Sequence, residues 1–269
     1  MSIHPTAVID PDAAIDPSAE IGPYVVIDGP VRVGPRTRIM AGAYLTGPRT
    51  EIGADNVIHP YAVLGDEPQD LAYRGVPTGL RIGDRNVFRE HTVTHRATQA
   101  DTSTEIGDDN YVMSDAHIAH NCRVGRGVIV CSGALVAGHV VLEDQVFLSG
   151  NCVVHQHVRV GQLAILRGLS RASRDVPPFC IMDGTHTVRG VNRVGLRRAG
   201  FDATRIRALV NAFRILFRVR TNLSQAVARV EAEVRSPDVD TLLAFIRSSR
   251  RGVAMGPGRS GADSEDEEE

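Results

Sequence analysis

The residues best suited to chemistry in this chain are histidines. His117, His120, His139, His155 and His157 are five of its ten and crowd into residues 117–157. An imidazole with its ordinary pKa of about 6.5 suits proton abstraction from a hydroxyl at neutral pH. Three imidazoles can instead hold zinc and leave a position open for water. A lone exposed histidine is usually a polar surface residue, so the case for function rests on whether these five meet. Other chemistries fall away. The chain has no lysine, which excludes a Schiff base and a P-loop lysine. Cys122 and Cys152 sit where small core residues are expected, and Cys131 and Cys180 have no CxxC spacing. Residues 159–220 hold thirteen arginines against Asp175, Asp183 and Asp202. That excess suits a phosphate or an acidic partner, or is a solvated face.

The element that must position the histidines announces itself by period. Ile106, Val112, Ile118, Val124, Val130, Val136, Leu142, Leu148, Val154, Val160 and Leu166 recur every six residues without a miss. Four residues after each, from Val112 on, the chain is mostly small or β-branched: Ala116, Cys122, Val128, Ala134 and so on to Ala164. Ile9, Ile15, Ile21, Ile27, Val33, Ile39 and Leu45 keep the same period near the N-terminus. Six is neither a helical nor a simple strand period; it is that of a parallel β-helix of hexapeptides. Three hexads make an 18-residue coil, stacked on the next at about 4.8 Å. Dividing by 18 puts His120, His139, His155 and His157 at positions 12, 13, 11 and 13, near one edge of the prism. None is in the inward column, so only a neighbouring subunit is expected to bury them.

The breaks in the period are informative too. Residues 65–81 and 96–104 read as loops thrown out from a coil, and long loops on a regular scaffold are often functional. Leu45 to Ile52 is a seven-residue slip. After Pro178, Ile206, Leu209, Val210, Phe213, Leu216 and Phe217 follow helical spacing, capped by Asp202 or Thr204. Val227, Val230 and Val234 suggest a second helix, and Ser236-Pro237 starts a third. The expected organisation is a β-helix over residues 1–186, a helical domain over 187–252 packed on its end, and a disordered acidic tail over 253–269. The N-terminus lacks a signal sequence and no run spans a membrane, so a cytoplasmic protein without stable membrane insertion is expected. Nothing points to nucleic acid.

From Ala116 to Cys122 the sequence reads AHIAHNC. With Ala137-Gly138-His139-Val140, Val154-His155-Gln156, Asp175-Val176-Pro177-Pro178, Gly190-Val191-Asn192 and Gly195-Leu196-Arg197-Arg198-Ala199-Gly200-Phe201, it resembles the acyl-carrier-protein–UDP-N-acetylglucosamine O-acyltransferases, which start lipid A synthesis. Gln69-Asp70-Leu71 and Thr94-His95-Arg96 match as well, so the resemblance covers nearly the whole chain. It implies a left-handed helix, an exception to the right-handed crossover rule. It also implies a homotrimer with sites between subunits, acyl carrier protein and UDP-N-acetylglucosamine as partners, and no cofactor. By residue it implies His120 as general base toward the sugar 3-hydroxyl and the Gly138 N–H as oxyanion donor. Asp70, His95, His117, His139, His155, Gln156, Asn192 and Arg198 match substrate-binding positions, Arg198 at the diphosphate. Gly168 matches the position that limits acyl length, where glycine leaves room for a long 3-hydroxyacyl chain.

The chain departs from the family pattern at several points. Ala72 stands where a lysine is usual, Val194 where a glutamate is, and Ala199 within a run of basic residues. Arg167 is bulky beside Gly168, and Asn121 follows the histidine where aspartate also occurs. These departures leave open a different UDP-sugar acceptor. From the histidines alone, a zinc hydratase of the γ-carbonic-anhydrase type also stays open.

Overall fold

In the computed structural model, which describes residues 2–219 and 221–257, the hexads become short parallel strands in three sheets of eleven, nine and eight strands, the eleventh strand of the first being an antiparallel addition beyond the hexads. Along the regular run partners lie eighteen residues apart, as in Val112↔Val130, Val124↔Leu142 and Val136↔Val154. All eleven members of the column from Ile106 to Leu166 are buried, and so are the small residues from Ala116 to Ala164. The chain is a left-handed parallel β-helix. Ile9 and Ile15, on the outermost coil, are only half-buried, as the free end of a stack must be.

Corners are made by residues in the left-handed region rather than by small residues alone. Asn121, His139 and His157 have φ of 58°, 61° and 62°. That conformation disfavours most side chains, and coil-to-coil hydrogen bonds offset it. The His139 N–H donates to the His120 carbonyl and the His157 N–H to the Gly138 carbonyl, both at 3.0 Å.

Both excursions, and the slip, leave from this same corner. Gly79–Ile82 is a strand paired with Arg49–Ile52 below and Ser103–Ile106 above. The true loops are therefore residues 67–78 and 96–102, shorter than the period alone suggests. Arg96 fastens the first to the second. Its buried guanidinium donates to the Gly65 carbonyl at 2.9 Å and reaches Glu67 and the Tyr73 hydroxyl.

Beyond the last coil, Val188–Val191 runs antiparallel to Cys180–Met182, so residues 186 and 187 lie inside a hairpin. Four helices follow: α1 (Arg193–Arg198), α2 (Ala203–Phe217), α3 (Leu223–Glu233) and α4 (Pro237–Ser248). Asp202, not Thr204, caps α2, accepting from the Thr204 and Arg205 N–H groups. Val234 lies just past the end of α3. Val253 and Ala254, expected to be disordered, are buried, and the Ala254 N–H donates to the Asp175 carbonyl. Apolar residues at the end of a bare stack need a cover, and this segment supplies it. Residues 258–269, with the acidic run, lie outside the described residues.

Asp175 joins the two parts. Its Oδ1 accepts the Arg159 N–H at 2.8 Å and its Oδ2 the Ser249 hydroxyl at 2.7 Å. Arg159 in turn lies 4.0 Å over the Phe245 ring and donates to the Phe245 carbonyl. Asp175→Ala leaves a part-buried N–H unpaired, which costs about 1 kcal/mol. Urea unfolding followed by the loss of helical circular dichroism should show α2–α4 melting earlier than in wild type; an unchanged midpoint would show the joint to be dispensable.

Candidate active site

The corner that carries the loops also carries the histidines. Val93 pairs with His117, which sets His95 one coil below the level of Ala119. The His95 and His117 rings lie 5.1 Å apart. His120 meets His139 edge-on at 5.2 Å, and His139 stacks on His157 at 4.6 Å. Stacked rings face each other rather than a common centre. Among the described residues no three His, Cys, Asp or Glu converge as a metal-ligand set.

A neighbouring subunit is not needed to bury all of the cluster. His95 is 4 % exposed, and His117 and His120 are half-buried within the chain. Loops 67–78 and 96–102 rise beside them. Nε2 of His117 has no hydrogen-bond partner among the described residues, whereas the buried His95 ring is approached by the backbone of Asp66 and Glu67. Burial holds the His95 pKa below the ordinary range. Burial, reinforced by His95 and His120, pushes His117 down to about 4. His139 is lowered by burial, then by His157 and His120, against an opposing pull from the Asp70 carboxylate. Cys122 beside it is buried, donates to the Ala137 carbonyl at 3.1 Å and is pushed up to about 12, so it offers no thiolate.

A histidine whose folded pKa is depressed binds its proton more readily when unfolded. The stability it contributes is whole above about pH 6.5 and is lost as pH falls toward about 4. Between pH 7 and 4.5 the denaturation midpoint of wild type should therefore fall more steeply than that of His117→Gln; parallel slopes would show His117 to be freely protonated.

The His120 ring lies over Gly138. A Cβ built on Gly138 would come within 2.7 Å of Nε2, so only glycine lets the ring lie there. His120 Nδ1 faces Asn121 Oδ1 at 2.9 Å. Asn121 in turn is held by Thr98, Gln99 and Thr104 from the second loop and the strand after it. Those residues carry no catalytic motif, and only the placement of the loop reveals them.

The remaining expected residues are dispersed. His155 and Gln156 are exposed on the next coil, with His155 Nδ1 3.4 Å from the Gln156 carbonyl. Gly168 is exposed, and an added Cβ there would make only ordinary contact, 3.5 Å from the Gly150 carbonyl. Arg167 beside it turns to Asp183 at 3.2 Å. Asn192 is buried, capping α1 through the Gly195 N–H at 2.9 Å and donating to the Leu163 carbonyl at 2.8 Å. Its amide joins hairpin, helix and β-helix. Arg198 is exposed in the last turn of α1.

A β-helix of six-residue repeats, a histidine cluster at one corner and a helical C-terminal part define a hexapeptide-repeat acyltransferase. The repeat model for bacterial transferase hexapeptides matches residues 103–138, and the model for UDP-N-acetylglucosamine O-acyltransferase domain 2 matches residues 175–254. An acyl-[acyl-carrier-protein]–UDP-N-acetylglucosamine O-acyltransferase from Anaeromyxobacter sp. is 45% identical over 94% of this chain and 99% of its own length. One from Thermodesulfovibrio yellowstonii is 42% identical over 93% and 98%. The crystal structure of the UDP-N-acetylglucosamine acyltransferase from Bacteroides fragilis superposes with a TM-score of 0.90 at 39% identity, covering 93% of this chain and 99% of that one. That from Francisella novicida gives 0.89 at 31%, covering 95% of each. The chain belongs to the acyl-[acyl-carrier-protein]–UDP-N-acetylglucosamine O-acyltransferase family and is an acyltransferase.

Proposed function

We propose that this enzyme transfers a 3-hydroxyacyl chain from acyl carrier protein to the 3-hydroxyl of UDP-N-acetylglucosamine, the first step of lipid A synthesis. The observation that carries the reading is the His120 ring, held over Gly138 and braced by Asn121. His120 takes the proton as O3 attacks the thioester carbonyl. The tetrahedral intermediate collapses, the C–S bond breaks and the proton passes to the departing thiolate. Gly138 fits the oxyanion role, since among the described residues its N–H donates to no backbone carbonyl. His117, with its Nε2 unpartnered among the described residues, offers a hydrogen bond to a sugar hydroxyl, and the buried His95 ring backs it at 5.1 Å. His139, His155, Gln156 and Asp70 extend that surface, Arg198 takes the nucleotide end, and Gly168 leaves the acyl path open; Asn192, expected among the binding residues, is buried with its amide engaged within the chain and serves by holding the turn that leads to Arg198.

The reading includes a homotrimer. Outward positions of two sheets are apolar: Val87, Ile129, Phe147 and Ile165 on one, Val93, Leu135 and Val153 on the other. Leu135 is 47% and Val153 39% exposed, and Leu71 at the tip of the first loop is fully exposed. Packed against a second copy, these residues would leave water. Among the described residues no helix is long and apolar enough to cross a membrane.

The reading is tested with a 3-hydroxyacyl carrier-protein donor and a panel of UDP-sugars. UDP-N-acetylglucosamine should exceed UDP-glucose and a 3-amino-3-deoxy analogue in kcat/KM by about tenfold or more, since a site built around polar groups rejects acceptors that leave them unpaired. Preference for the amine would convert the departures at Ala72, Val194 and Ala199 into a change of acceptor.

A further inference from the structure

We infer that Thr98, in the second loop, is the positioning residue that selects the tautomer of His120. The inference rests on the reading of His120 as the base. Asn121 is an amide, and an amide has two ends. One faces His120 Nδ1 at 2.9 Å. If that end is the oxygen, Nδ1 must carry the hydrogen and Nε2 is left with its lone pair, able to accept a proton. If it is the NH2, the ring is driven to the opposite tautomer and Nε2 is already protonated.

The structure decides between the two ends. The backbone N–H of Thr98 points at the same Asn121 atom at 3.1 Å, and the Thr98 hydroxyl lies 2.8 Å from it. A backbone N–H can only donate, so the atom it meets is the oxygen. The far end agrees: Asn121 Nδ2 donates to Gln99 Oε1 at 2.8 Å and lies 3.4 Å from the Thr102 hydroxyl. The residue is fixed as a whole by its backbone N–H, which donates to Thr104 Oγ1 at 2.8 Å at the left-handed corner. A flipped amide would set NH2 against the Thr98 N–H, donor against donor. Thr98, Gln99, Thr102 and Thr104 all come from the excursion at residues 96–102 and the strand that follows. That gives the second break in the hexad period a purpose, which is to orient an amide that could otherwise point either way. A carboxylate at position 121 would need no such lock, because its two ends are alike.

Thr98→Val removes the hydroxyl and keeps the shape. Because the backbone N–H of residue 98 and Gln99 still hold the amide, it is expected to lower kcat about two- to threefold, the share of molecules turned when roughly one neutral hydrogen bond is removed, with KM for both substrates within about twofold. Thr98→Ser should restore the rate. In an Asn121→Asp background the Thr98→Val loss should disappear, a coupling that a double-mutant cycle reads directly. Nitrogen-15 spectra of the resting enzyme should show His120 protonated at Nδ1 in wild type and partly at Nε2 in Thr98→Val. Wild-type kcat in Thr98→Val, or a loss undiminished by Asn121→Asp, would overturn the assignment. The spectra report the tautomer whatever His120 does in turnover, so a failure of the base reading would show separately, as activity retained in His120→Ala.

Discussion

His120→Ala should fold like wild type and lose acyl transfer by about 10²–10⁴-fold, the usual cost of removing a general base. Folding should survive because His120 belongs to a corner and not to the inward stack. The residues that close the coil beneath it, Ile118 and Cys122, are fully buried and untouched. The contacts given up are one hydrogen bond to Asn121 and an edge contact with His139. The His120 backbone carbonyl still receives the His139 N–H. The loss should therefore fall on kcat, with KM for the sugar nucleotide little moved, because His95, His117 and Asp70 remain. Circular dichroism and size-exclusion chromatography check the fold and assembly, and initial rates check the chemistry. Retention of more than about a tenth of wild-type activity would remove His120 from the role of base.

Gly138→Ala is the second large effect, and its cause is steric. Gly138 has an ordinary backbone conformation, so alanine is allowed there, yet its Cβ would come within 2.7 Å of His120 Nε2 and 3.1 Å of Nδ1. The backbone at this point is held by the His157 N–H on the Gly138 carbonyl and cannot give way easily. The imidazole must yield, leaving its bond to Asn121 and its place beside the Gly138 N–H. Base and oxyanion donor are displaced together, and a loss of at least about 10²–10³-fold is expected, the range for one oxyanion donor alone. Gly150→Ala is the matched control: its Cβ would make ordinary contact, 3.5 Å from the Ser132 carbonyl. Equal activities of the two variants would mean that the His120 ring does not work where it lies over Gly138.

Much of this was legible from the six-residue period. It identified the whole apolar inward column from Ile106 to Leu166, though not Asn110, which is buried beneath that run in a polar ladder with Asn86. Because no insertion interrupts that run, division by 18 aligned His120, His139 and His157 on one corner. The same division failed upstream. Ile52 pairs with Ile82 and Ile82 with Ile106, thirty and twenty-four residues apart. The loops between them hide the fact that His95 stands beside His117, and Asp70 near His139. Those loops also explain why His95, named in the sequence only by resemblance, is buried within one chain. His155 was grouped with the column, but it sits at a strand end just before the corner and makes no ring contact with the cluster among the described residues. Helix α1 has only Leu196 buried, too little for an apolar period to register. The brace of Thr98, Gln99 and Asn121 consists of ordinary polar residues whose meaning lies wholly in where a loop puts them.

The most direct test is the structure of the product. Purified enzyme, a 3-hydroxyacyl carrier-protein donor and UDP-N-acetylglucosamine should yield a single compound heavier by one 3-hydroxyacyl group. Nuclear magnetic resonance should place the new ester on O3, with one carrier thiol released per ester formed and the enzyme's intact mass unchanged. Acyl transfer to another atom of the sugar, an acyl adduct on the enzyme itself, or no transfer to this acceptor would contradict direct attack by the 3-hydroxyl under His120.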